Sequence, residues 1–398
     1  MAIRHCVELG YHRSTECYRR NADTLTKEML KRCFWVAYDI DRVAAFILGR
    51  PVGIPEDSID VELPMDIDDE HITPAGFSCS PRTSSNDTPT AMTGALHVIR
   101  LRRLWAKFND SLYSKTSRFT GDNQTKTVVE GLRAELEEWR ASLPSQLDFA
   151  HSNPLSVFAS SEWFRIAYDH SILLLYRPFI TSTEQRENDP SVLLSLAEMH
   201  DEEMVERAFD ECARCAREMC LLYRRLYQSS SIQFTWGSLH ILFLGGLTYL
   251  YCLWRSRRVR EKTRRTDVVS TCLACSTVLV IIAERWNLAT SYRDLFEALS
   301  EKTKSAWSAV MKICRIHHEH RGGWRAPLRI LYYRSGLTMG WMIWLFRKNP
   351  NGWCRNSCKG CPNSQMTRSL RLIPTILCHS RRATQILHLS RISFIISH

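Results

Sequence analysis

Apolar residues recur along this chain at helical spacing. Phe34, Ala37, Tyr38, Ala44, Ala45 and Leu48 fall on one broad helix face. Val128, Leu132, Leu136, Trp139 and Leu143 do the same, as do Trp163, Ile166, Ala167, His170, Leu173 and Leu174. The pattern predicts later helices over 201–228, 232–256, 266–288 and 292–318. The alternation of a half-buried strand is almost absent, so the predicted fold class is all-α. The stops are explicit. Gly49 supplies a residue free to take positive φ past a helix end, and Pro51 forbids continuation. Pro144 is expected to close the helix ending WRASLP, and Pro178 the one ending LLLYRPF.

Between the helices, residues 71–93 (HITPAGFSCSPRTSSNDTPTAMT) are rich in Pro, Ser and Thr and read as a mobile loop. The stretch after Gly49-Arg50-Pro51 is different. It carries eight Asp and Glu between 56 and 70 and no basic residue. Arg50 or Arg42 is therefore expected to pair with one of these carboxylates, or with Asp41, which interrupts the apolar face. Two readings of that hinge stand: a structural ion pair, and a latch that responds to an effector.

Net charge is +11, which points first to nucleic acid. Its distribution points elsewhere. Residues 321–398 hold 13 Lys and Arg and no Asp or Glu, leaving 40 basic against 42 acidic side chains over 1–320. The body lacks the electrostatic footprint of a DNA-binding domain. An irregular basic tail is expected over 319–398, and its 321–398 stretch without one carboxylate is unusual for a folded surface. It is expected to be a gene-model artefact, a translated intron or a shifted frame.

Fifteen cysteines follow no secreted spacing. No signal peptide precedes them, so they read as mostly buried thiols in a reducing compartment. Cys212/Cys215 and Cys272/Cys275 form C-x2-C pairs on helices, read as core packing, with a shared metal as the alternative. Cys314, His317, His318 and His320 read as end-of-helix residues. Cys354, Cys358, Cys361, Cys378 and His379 read as chance spacing within the tail. Gly245-Gly246 suits close helix packing, or room for a ligand between helices. The segment 236–254 is 19 residues without a formal charge and is read as a buried core helix, with a membrane span as the alternative. No phosphate loop, nucleophile elbow, HExxH or dinucleotide fingerprint occurs, and the chain reads as a non-enzyme.

Six segments together resemble one family. RCFWVAYDIDRVAAFILGRPVGIPEDSIDVELP (32–64) looks like the central segment of the fungal-specific transcription factor domain, the middle homology or regulatory region of fungal binuclear zinc-cluster transcription factors. MAIRHCVELGYHR (1–13), LEEWRASLP (136–144), LLLYRPF (173–179) and the segments 236–254 and 275–300 agree in order, so the resemblance spans about 1–318. It implies an all-α regulatory domain, a nuclear location and a role in transcription. Its structural motif here is Asp41, Arg42, Gly49, Arg50 and Pro51. The family's zinc belongs to an N-terminal six-cysteine cluster that grips DNA. Nothing in this sequence matches that cluster, so no cofactor is expected in this chain and DNA only through the missing module. The chain is expected to be N-terminally incomplete. A small-molecule effector, a co-regulator protein and a homodimer stay open as partners, with no membrane. A helical interaction scaffold without DNA binding is the alternative. Truncation would leave an exposed apolar patch near helices 1–10 and 31–48.

Overall fold

A computed structural model describes residues 2–84, 87–113, 122–144, 160–188, 202–228 and 236–319. Among these, the helices are α1 (Ala2–Glu8), α2 (Thr15–Tyr18), α3 (Thr24–Leu48), α4 (Ala91–Phe108), α5 (Asp122–Ala141), α6 (Ser161–Asn188), α7 (Glu202–Gln228), α8 (Trp236–Arg255), α9 (Arg257–Lys262), α10 (Arg265–Arg285) and α11 (Thr290–Glu319). Two antiparallel two-residue strands, β1 (Ile72–Thr73) and β2 (Gly76–Phe77), pair Ile72 with Phe77. The fold is all-α.

Helix α3 begins and ends as its sequence dictates. Asp23 caps the start by accepting the Thr26 amide at 2.9 Å. Gly49 ends it in the left-handed region at φ 59°, ψ 44°, where a Cβ is penalised. Its buried face is Phe34, Trp35, Ala37, Tyr38, Arg42 and Ala45. Leu48 lies off that face, 50% exposed, contrary to the sequence expectation. On α5 the buried residues are Val129, Leu132, Leu136 and Trp139, while Val128 points outward. Adjacent valines at the turn leave the register ambiguous by one residue, which is 100° of helix.

One contiguous core joins α4 to α8 with α10 and α11, from Val98 to Trp307. Residues Gly245–Leu253 of α8 are buried without a break, packed among α6, α7, α10 and α11. A Cβ on Gly246 would lie 2.6 Å from Phe296 Cε2 and 2.7 Å from Cys275 Sγ, and one on Gly245 would lie 3.3 Å from Met219 Cε. The double glycine thus sets close helix approach, and neighbouring side chains fill its surroundings. Both Trp236–Arg255 and Arg265–Arg285 are long and apolar enough to cross a membrane. The first is a core helix here, and the second has an outward face with Val269 and Leu273 exposed.

Pro178 does not end its helix. α6 runs through it to Asn188. A proline at this place deprives the Leu174 carbonyl of its amide donor. Tyr113, from a π-helical turn at Asn109–Tyr113 after α4, donates its hydroxyl to that carbonyl at 2.6 Å. Thr181 Oγ donates to the Arg177 carbonyl at 3.1 Å. The helix continues because a tertiary donor replaces the lost one.

The segment 71–93 also holds local structure. Its β1–β2 ladder is followed by a capping arrangement at Thr90 and Thr93 that opens α4.

Candidate functional site

The motif predicted around Gly49-Arg50-Pro51 forms a joint between α3 and the acidic segment, which runs as a strap along the helix. Gly53 is the crossing point. Its amide donates to both carboxylate oxygens of Asp41, at 3.1 and 2.9 Å. A Cβ there would collide with Ile3 Cγ2 and lie 2.7 Å from Asp41 Oδ1. Further along, Trp35 donates its indole N–H to the Glu62 carbonyl at 2.9 Å, and the buried Glu28 accepts the Met65 amide at 2.7 Å. Ile3, Phe34, Trp35, Ala37, Tyr38, Ile54, Val61 and Ile99 make a second small core under this strap.

Arg42 is the centre of the joint and is fully buried. Its guanidinium donates to Asp41 Oδ2 at 2.8 Å, to the Ile54 carbonyl at 2.8 Å and to Glu56 Oε1 at 2.7 Å. It also lies 4.2 Å from the centroid of the Tyr38 ring. Tyr38 donates its hydroxyl to the same Glu56 oxygen. Burial opposes the Arg42 charge, but Tyr38, Glu56 and Asp41 outweigh it, so its pKa lies above the ordinary arginine value. Burial in turn pushes the Tyr38 hydroxyl up, keeping it a neutral donor. A charge so placed is tolerable only because its neighbours supply the missing solvation.

Five of the strap's other carboxylates are also committed. Glu62 accepts the Thr15 amide at 3.2 Å and the Thr15 hydroxyl at 2.9 Å, at the start of α2, and also the Ser14 hydroxyl. Burial would raise its pKa, yet these hydrogen bonds hold it at about 2. Asp66 accepts the Thr93 hydroxyl at 2.7 Å, the Thr90 hydroxyl and Arg82 Nη1 at 3.2 Å. Asp68 accepts the Ala91 amide at 2.8 Å, so both acids sit at the positive end of α4. Asp69 meets Arg32, and Asp60 meets Arg13 at 3.3 Å.

Of the predicted motif, the structure brings Asp41 and Arg42 together with Glu56. It places Gly49 at the turn, and leaves Arg50 and Pro51 exposed. Among the described residues no ion pair involves Arg50. Sequence reading missed the roles of Gly53 and Tyr38 and the ion pair of the buried Arg102 with Asp39, at 2.7 Å with Arg102 over the Trp105 ring. The i, i+4 spacing of Tyr38 and Arg42 was the available signal. The arrangement offers no nucleophile and base within reach of each other. What it does is fix the angle between α3 and the strap.

Outside the joint, α3 presents a stripe to solvent. Leu25, Met29, Val36 and Ile40 are exposed, Val36 at 61%, and Leu9 adds to them near α1. The faces expected to form an apolar patch are therefore not fully covered.

The paired cysteines separate. Cys212, Cys215, Cys220, Cys252, Cys272 and Cys275 are all buried free thiols. Cys275 and Cys272 neighbour Cys220, while Cys215 neighbours the buried carboxylate of Asp169. Among the described residues no three His, Cys, Asp or Glu are grouped to hold a metal. The side chains of Cys314, His317 and His318, together with His320, Cys354, Cys358, Cys361, Cys378 and His379, lie outside the described residues. Burial raises the Asp169 carboxyl to about 6 against the pull of Cys215 and Arg214, and its Oδ2 has no partner.

Residues 1–141 match the family model of the fungal specific transcription factor domain. The chain is 23% identical over 305 residues to the Positive regulator of purine utilization of Emericella nidulans, covering 72% of this chain and 28% of that protein. It is 32% identical over 194 residues to the Transcriptional activator protein acu-15 of Neurospora crassa, covering 48% of this chain and 20% of that protein. It is 26% identical over 281 residues to the Pyrimidine pathway regulatory protein 1 of Saccharomyces cerevisiae, covering 67% of this chain and 28% of that protein. The chain thus spans less than a third of the length of each of these relatives, all of them fungal regulators. No solved structure matches it.

Proposed function

We propose that this chain, which carries a fungal specific transcription factor domain over residues 1–141, is the regulatory part of a fungal zinc-cluster transcription factor acting in the nucleus. The single observation that carries this reading is that domain match, whose residues 1–141 include α3, the strap and the Arg42 joint. In this reading DNA is gripped by a zinc cluster that residues 1–398 do not contain, and zinc belongs there. The chain's own work is to couple a co-regulator, an effector or a second copy to that module. It performs no catalysis, in keeping with relatives that are regulators.

The test is a fusion of residues 1–398 to a heterologous DNA-binding module, assayed on a matching reporter in a fungal host. Reporter output several-fold above or below that of the module alone, at matched protein level, is the expected result. Output equal to the module alone overturns the regulatory reading and leaves an interaction scaffold.

A further inference from the structure

We propose that the notch where α8 begins and α10 ends is a binding site for a small planar ring carrying an anionic group. The notch is a half-open cavity of about 220 Å³ lined by Trp236, Ile282, Arg285 and Trp286. Three of its walls are apolar and the fourth is a cation.

The three apolar walls are held in place by the fold. Trp236 is the first residue of α8 and keeps 36% of its surface exposed. Its ring rests against His240 at 4.5 Å between centroids. His240 is fixed at both nitrogens, Nδ1 2.9 Å from the Trp236 carbonyl and Nε2 3.0 Å from the Tyr292 hydroxyl. Burial lowers its pKa, so it braces the indole as a neutral ring. Trp286 is anchored at the end of α10, its amide donating to the Ile282 carbonyl at 2.8 Å. Ile282, buried, forms the floor. Arg285 is exposed and, among the described residues, its side chain makes no ion pair or hydrogen bond.

The size and chemistry select the ligand class. An apolar cavity of about 150 Å³ accepts a benzene-sized ring. The notch therefore takes one ring with a substituent. Indole rings attract a flat π-system, and a free guanidinium in the lining matches a carboxylate in its plane. A neutral ring would leave Arg285 unused, and an aliphatic anion would leave the two indoles uncovered. In the regulatory reading this names a place and a class for the effector, and the site rests on that reading only for its biological purpose.

The experiment is a saturation-transfer NMR titration of the full chain with benzoate, and with benzamide as its neutral isostere. Benzoate is expected to bind with a Kd on the order of 1 mM, as befits so small a ligand. Benzamide is expected to bind about tenfold more weakly, and Arg285→Ala is expected to weaken benzoate about tenfold. Trp236→Ala is expected to abolish both signals. Arg285→Lys, which keeps the charge, recovers part of the benzoate affinity, so the cation is tested even if the tryptophan variant fails to fold. No benzoate signal up to about 20 mM, equal affinity for benzamide, or binding unchanged in Arg285→Ala overturns the proposal. Binding is read without a reporter gene, so failure here leaves the fusion result standing.

Discussion

Tyr113 donates its hydroxyl to the carbonyl of Leu174 at 2.6 Å, and that carbonyl is the acceptor Pro178 leaves without an amide. A residue from the turn after α4 thereby carries α6 past its proline. The partnership is non-local, 61 residues apart in sequence. It ties the two helices at the point where one of them is weakest.

Removing the hydroxyl strands a half-buried carbonyl. Tyr113→Phe should cost about 1–3 kcal/mol in urea unfolding. Pro178→Ala restores the amide donor, so in that background the same substitution should cost much less. A double-mutant cycle measures the difference. Equal costs in both backgrounds, within about 0.5 kcal/mol, would show that the two residues are uncoupled.

The two arginines that sequence reading offered as alternatives should separate sharply. Arg42 is fully buried and pairs with Asp41 and Glu56, so Arg42→Met should destabilise by about 3 kcal/mol, because it takes the buried cation from between the two carboxylates. Arg50 is exposed, and Arg50→Ala should stay within about 0.5 kcal/mol of the parent. Thermal unfolding of the two variants side by side checks this. Similar losses would place the hinge charge at Arg50 instead.

Asp169 gives the fold a pH dependence. Its folded pKa, about 6, lies above the ordinary 3.8, so the folded state binds the proton more tightly than the unfolded chain does. The resulting stability is complete below 3.8 and is lost as pH rises through about 6. Asp169→Asn should remove that slope and raise stability at pH 8 by on the order of 2 kcal/mol. Unfolding free energies across this range decide it. An aspartate whose replacement destabilises at pH 8 would be an ion-pair partner, not a buried acid.

The helices were legible because α3, α5 and α7 carry long apolar faces with clear period, α8 is a long apolar run with no charge before Arg255, and Gly49 marks a stop that the structure keeps. Pro178 misled because its rescue comes from Tyr113, which no local pattern connects to it. Val128 and Val129 could not be ordered, since neighbouring apolar residues satisfy the same periodicity. At the joint, Asp41, Arg42 and the acidic run were readable as charges in search of partners. Gly53 was not, because its meaning lies in the approach of Ile3 from α1 and of Asp41 from α3. Sequence shows that a glycine is present, but only packing shows what it lets pass.

The strap has a consequence for how the molecule looks from a distance. Taken alone, its eight carboxylates amount to a negative wall that repels a polyanion. Arginines face Glu56, Asp60, Asp66 and Asp69, and helix starts receive Glu62 and Asp68. Only Asp57 and Glu70 are left with neither. Beyond a Debye length of about 8 Å, the field of so many internally compensated charges is largely cancelled. The most acidic stretch of the sequence is thus far less negative to its surroundings than its composition suggests.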